Sequence, residues 1–246
     1  MSLKGYFRYI YAMIGVVAVW YVLSIIANLP IIPSPLNVFV NTYIIFKAKI
    51  AIHVMYSIYR IFMGLILSIA IGVPLGLAMG YIPRIDSVMS PVVYLLYPIP
   101  KIAFLPVVML IFGLGELSKI IMIMLIVVFQ IIVSSRDAVK GIPEETYYSL
   151  MALGAGRLGI FKEIVIPAAM PEILTSIRVG LGTAVSVLFF TETFGTKYGI
   201  GYFIMDSWMR VNYLDMYSGI MILGIIGLCL FLLIDIMEFL LCPWKQ

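Results

Sequence analysis

Asp235 and Glu238, three residues apart near the end of an apolar run, have the spacing of a carboxylate pair for general acid–base or metal chemistry. Neither has a nucleophile or a metal-ligand partner close by in sequence, and the end of a helix facing the cytoplasm is their expected setting. His53 is the single histidine, so no multi-histidine metal site can form, and a structural or interfacial role is expected for it. Cys229 and Cys242 lie in or beside the last apolar run, at no metal spacing, and read as small apolar residues. The chain contains neither the HExxH pattern of a metalloprotease nor the GxxxxGK[ST] loop that cradles phosphates. No catalytic residue and no metal ligand is therefore assigned. Two other charges stand out because they sit in apolar surroundings, where an ionisable group is a functional candidate. Lys101, within "YPIPKIAFLP" beside Pro98 and Pro100, could attract an anion or reach toward headgroups. Glu192, after "VLFFT", could stand on a translocation pathway or form a structural pair. Arg60 and Arg178 are expected to snorkel or to pair.

The elements that must hold these residues are membrane helices. Of 246 residues, 63% are hydrophobic and only 11% charged, where a soluble domain carries about 25% charged residues. The net charge of +4 is too mild and dispersed for a nucleic-acid ligand and suits anionic lipid instead. Apolar runs predict six spans, at about 9–27, 53–81, 87–112, 117–133, 174–194 and 216–241. The first run is long, aromatic-rich and followed by no small-residue cleavage pattern, so it reads as a span and not as a signal peptide. Pro30, Pro33 and Pro35 break the chain after it. In the second span Gly72, Gly76 and Gly80 recur every fourth residue, a face on which another helix can approach closely, and Pro74 should kink it. Three prolines in "YPIPKIAFLP" predict a broken helix in the third. For orientation, Lys4, Arg8, Arg84, Arg136, Lys140, Arg157, Lys162 and Lys245 against Lys47, Lys49, Lys119, Lys197 and Arg210 favour both termini inside.

Residues 136–172 carry nine charges, and placing them in lipid would cost on the order of 20–30 kcal/mol. This segment therefore lies in water or against protein. Pro143 suits a first helical position, with Glu144 and Glu145 behind it where the helix dipole favours carboxylates. That helix should stop near Leu153 at Gly154-Ala155-Gly156. A second should begin near Arg157, carry Leu158, Phe161, Ile164 and Val165 on one face, and end at Pro167, with Pro171 introducing the next span. The hairpin offers Leu150, Leu153, Leu158 and Phe161 near its tip, either to a partner or to the protein's own helix ends.

Gly154, nine intervening residues and then Ile164-Val165-Ile166-Pro167 resemble the EAA-loop signature of binding-protein-dependent ABC transporter permeases, although the triplet reads Tyr148-Ser149-Leu150 here. The stretches "LPIIPSPLNVF" (29–39), "HVMYSIYRIFMGLILSIAIGVPLGLAMG" (53–80), "YPIPKIAFLPVVMLIFGLGELSKI" (97–120) and "TETFGTKYGIGYFIMDS" (191–207) are similar to the nitrate/sulfonate/taurine/bicarbonate-type branch of that family. The resemblance implies an all-α membrane protein with the type I ABC importer (MetI-like) permease fold, in which 1–50 form a first span and an extracytoplasmic segment and 51–241 the permease core. It also implies a permease homodimer in the lipid bilayer that forms the pathway, a separate ABC ATPase that uses the ATP, and an extracytoplasmic solute-binding protein. This chain would bind no cofactor itself. Carried onto this sequence, Ala152, Gly154, Ala155, Gly156, Arg157, Leu158, Ile164 and Pro167 would form the ATPase-coupling hairpin. Pro98, Pro100, Lys101 and Glu192 are the candidates for the pathway. A stand-alone secondary transporter or channel would instead require inverted repeats, and no convincing repeat is seen.

Overall fold

The computed structural model describes residues 3–245, with side chains from Tyr11 to Trp244, and helix is its only regular secondary structure among them. The side chains of Lys4, Arg8 and Lys245, counted above for orientation, lie outside the described ones. In chain order the helices are α1 (Leu3–Ala27), α2 (Pro35–Ile45), α3 (Ala51–Tyr81), α4 (Pro83–Leu96), α5 (Leu105–Phe112), α6 (Glu116–Lys140), α7 (Glu144–Ala152), α8 (Arg157–Ile160), α9 (Ile166–Glu192), α10 (Ile200–Met209) and α11 (Tyr213–Leu241). Four helical stretches are long and apolar enough to cross a membrane: Pro35–Tyr81, Glu116–Lys140, Arg157–Glu192 and Tyr213–Leu241. A fifth forms if α4 and the bent segment Lys101–Phe112 count as one span, and Tyr11–Ala27 adds a shorter apolar helix. Helix thus occupies each of the six runs expected from sequence.

Three boundaries differ from expectation for identifiable reasons. The second span does not start near His53. Pro35 takes the first turn of α2, where its missing N–H costs nothing, and the Ser34 hydroxyl accepts from the Asn37 N–H at 3.4 Å. A wide π turn at Phe46–Ile50, carrying Lys47 and Lys49, then joins α2 to α3 in one helical run of 47 residues. Pro167 likewise does not end the second hairpin helix. A π turn at Phe161–Val165 precedes it, and the Ile166 N–H donates to the Phe161 carbonyl, so the ring meets a widened turn and helix continues through Pro171 to Glu192. Pro143 precedes α7 in extended conformation, so the helix starts at Glu144. Helix α10, short and flanked by glycines, was not anticipated.

The described chain forms two compact units. The first takes Met1–Tyr56 and Lys197–Gly224. Within it Asp215 accepts from Asn41 at 3.0 Å and pairs with Lys49 at 3.1 Å. His53 Nδ1 accepts from the Gly199 N–H at 3.0 Å, and Tyr56 stacks on Tyr198. The only histidine thus holds a turn whose glycine has φ +131°, which bears out its structural reading.

The second unit takes Ser57–Thr196 and Ile225–Gln246. Here α6 packs along α9 and against the glycine face of α3. A methyl group placed on Gly64, Gly72, Gly76 or Gly80 would fall 2.5–2.9 Å from atoms of Ile123, Ile131, Ile132 and Val139 respectively. The face therefore extends two four-residue steps beyond the three glycines read from sequence, through Ser68 to Gly64, as in close membrane helix pairs. Gly76 is the tightest against backbone, since the Ile132 carbonyl oxygen lies 2.6 Å from such a methyl. Gly76→Val is expected to destabilise the folded chain by about 1–3 kcal/mol through overpacking, read as a lowered unfolding midpoint in detergent. Val substituted at Gly15, which has nothing within 4 Å, should leave that midpoint unchanged.

Candidate functional site: hairpin, buried ion pairs and broken-span cavity

The hairpin's corner is fixed by backbone. Helix α7 ends with Gly154 at φ +78°, its N–H donating to the Met151 carbonyl and that of Ala155 to the Leu150 carbonyl. Those two bonds form a Schellman turn, which satisfies carbonyls the helix end would leave free. The glycine stop read from sequence is therefore real and has a stereochemical cause. Around the corner, Leu153 and Leu158 are 84% and 80% exposed, while Ala152, Gly154, Gly156 and Arg157 are also exposed and Ala155 is half-buried. The expected apolar tip divides. Leu153 and Leu158 point away from the protein, Leu150 and Phe161 are half-buried, and Ile164 and Val165 are buried. Phe161 lies 5.3 Å from the Tyr81 ring, whose hydroxyl donates to the Arg157 carbonyl at 2.9 Å. Tyr81, the last residue of α3, thus anchors the start of α8, and behind the corner lies a cavity of about 840 Å³. Burial there raises the phenol pKa of Tyr147 above its ordinary value. Ile164 and Pro167 root the hairpin and stand apart from its tip.

Glu192, a pathway candidate, is fully buried as the last residue of α9. It accepts from Arg60 Nη1 at 2.7 Å and from the Ser57 hydroxyl at 2.8 and 3.0 Å. Arg60, also without exposed surface, forks to Glu116 at 2.6 and 2.7 Å. Ser57 and Arg60 on α3, Glu116 on α6 and Glu192 on α9 therefore join three helices through charge-assisted hydrogen bonds. Lys119 completes the set: counted with the outside loops in sequence, it is buried in the first turns of α6 and donates to the carbonyls of Leu114 and Gly115. Sequence reasoning had Arg60 and Glu192 separately, and their 132-residue separation hid the pair. Asp235 and Glu238 meet Arg178 at 2.6 and 2.5 Å, so this carboxylate pair is spent on an arginine. Among the described residues no cluster could hold a metal ion.

Lys101 opens the turn between the two halves of the broken span, which bend by 77°. Its ammonium donates to the carbonyls of Leu96 (3.0 Å), Tyr97 (2.9 Å) and Ile99 (3.4 Å) and sits 4.4 Å from the Phe129 ring centre. Pro98 and Pro100 lie among these carbonyls, and Pro100, lacking an N–H, removes the α-helical partner of the Leu96 carbonyl. Pro100 and Lys101 line a cavity of about 460 Å³ with Gln130, Thr183 and Ser186.

Residues 72–245 match the family described as "Binding-protein-dependent transport system inner membrane component". The chain is 31% identical over 192 residues to the taurine transport system permease protein of Escherichia coli (strain K12), covering 78% of this chain and 70% of that one. It is 23% identical over 218 residues to the nitrate import permease protein of Synechococcus elongatus, covering 84% and 78%. The fold is similar to that of a chain of the inward-facing MetNI methionine ABC transporter, with TM-score 0.68 and 19% identity over 77% of this chain and 94% of that one.

Proposed function

Because the chain belongs to the inner-membrane components of binding-protein-dependent transport systems, we propose that it is the permease subunit of an ATP-driven importer, coupled to a separate ATPase through the 144–167 hairpin. Two copies enclose the pathway, both termini face the cytoplasm, and an extracytoplasmic binding protein delivers the solute. That solute is a small anion or organic solute of the nitrate, sulfonate or taurine kind; taurine and nitrate are the solutes in the names of the two relatives above. The observation that carries the coupling role is the pair Leu153 and Leu158. Two large, exposed apolar side chains stand at the tip of a corner that a Schellman turn fixes. Such a rigid knob can fill a groove on a partner and pass its movement on, since packed interfaces shift between discrete arrangements. At its root, Tyr81 holds the hairpin to α3, and the glycine face holds α3 to α6. Displacing the tip therefore moves two membrane helices together.

The test is assembly. Co-expressed with the ATPase subunit of the same transport system, the tagged chain should retain that ATPase through affinity and size-exclusion steps. Chain that elutes without ATPase under conditions where both are folded would overturn the coupling role.

A further inference from the structure

We propose that the cavity beside the broken span is an anion subsite on the translocation path, in which Lys101 supplies the charge and Gln130 orients the solute. The inference rests on the permease reading above and adds to it a site and the residues that form it. Gln130 is the one amide in a run of apolar residues on α6, ten residues and about 15 Å short of the helix end. An amide at that depth in a span is costly unless it faces a partner or a cavity. Gln130 makes no hydrogen bond among the described residues, and it lines the cavity, leaving both a donor and an acceptor available. Thr183 and Ser186, one turn apart on α9, also line the cavity, with their hydroxyls donating to the carbonyls of Val179 and Gly182.

The charge balance points to the sign of the ligand. Lys101 forms no ion pair among the described residues, and none of the cavity's lining residues is acidic. Elsewhere in the second unit the buried Arg60 meets carboxylates, at Glu116 and Glu192, whereas the buried Lys119 is held, like Lys101, by backbone carbonyls. Around Lys101, carbonyl dipoles and the Phe129 ring hold the ammonium in place and do not cancel its charge. A positive field inside a weakly polar wall, with the Gln130 amide as donor, suits a compact oxyanion: the charge is met at a distance and an oxygen by the amide N–H groups. The cavity volume of about 460 Å³ accommodates a solute of that size.

The test is binding to the whole chain in lipid nanodiscs, without partner proteins, using nitrate and methanesulfonate as probes and methanesulfonamide as the uncharged control. Wild type should bind both anions, seen by calorimetry, and not the sulfonamide. Gln130→Leu should weaken methanesulfonate binding at least tenfold, the order expected on losing a hydrogen bond to a charged group, with the unfolding midpoint of the unliganded chain unchanged. Lys101→Arg should retain binding. Equal binding of anion and sulfonamide, or full anion binding by Gln130→Leu, overturns the subsite. An intact, Gln130-dependent subsite in a chain that assembles with no ATPase would overturn the permease reading and leave the site itself standing.

Discussion

Glu192→Ala should lower the stability of the folded chain by about 3–5 kcal/mol, the loss expected when one partner of a buried ion pair is removed. The carboxylate has no exposed surface and meets Arg60 and Ser57, which are equally buried. Without it the guanidinium keeps its fork to Glu116 but loses the carboxylate at Nη1, and the Ser57 hydroxyl loses its bonds to that carboxylate. Glu192→Gln, which keeps the shape and an acceptor for Ser57, should cost less. Replacing both partners together, Arg60→Met with Glu192→Leu, should cost less than Glu192→Ala alone, since apolar groups of similar volume remove the desolvation penalty along with the attraction. Unfolding in detergent, followed by circular dichroism, measures all three. A Glu192→Ala midpoint equal to wild type would show that the pair does not hold the three helices together. Of the two roles the sequence leaves open for Glu192, the structural pair is the one these contacts form within the subunit.

Gly154→Trp should leave insertion and folding intact while reducing the ATPase retained by the chain at least tenfold. Nothing lies within 4 Å of a Cβ placed at this position, so a side chain can leave the backbone without a clash there. What it meets is the backbone requirement: φ is +78°, where a residue with a side chain pays about 1–2 kcal/mol, and the Schellman turn that aims Leu153 and Leu158 is lost or displaced. The indole also adds bulk to the exposed corner that carries Leu153 and Leu158. Gly154→Asn, which visits the left-handed region more readily, should retain most of the ATPase. Retention of ATPase by Gly154→Trp at wild-type levels would separate the corner from coupling.

Much of this architecture was legible from local sequence because its causes are local. Glycines at every fourth position can only make a small-residue face, three prolines in ten residues must break a helix, and nine charges in one segment cannot stay in lipid. Gly154 is of the same kind, since a positive φ after an amphipathic run selects glycine. What failed were proline boundaries. Pro35 and Pro167 read as stops, but the first begins a helix and the second follows a π turn that makes room for its ring. Neither π turn leaves a mark in hydrophobic periodicity. The ion pairs were hidden for another reason. Arg60 and Glu192 are brought together only when α3 and α9 both pack on α6, and Lys119 looked like a loop cation because its burial depends on the same packing. The pocket role of Gln130 likewise needs α6 beside the bend at Lys101.

Solute uptake into proteoliposomes tests the central claim most directly. The chain would be reconstituted with the ATPase and the solute-binding protein of its transport system, and radiolabelled taurine, nitrate and sulfonate offered on the binding-protein side. Uptake of one of these solutes that requires ATP on the hairpin side, and disappears when the ATPase, the binding protein or the intact Gly154 corner is omitted, is the predicted result. Uptake by this chain alone, driven by a solute or ion gradient and indifferent to ATP, would contradict it.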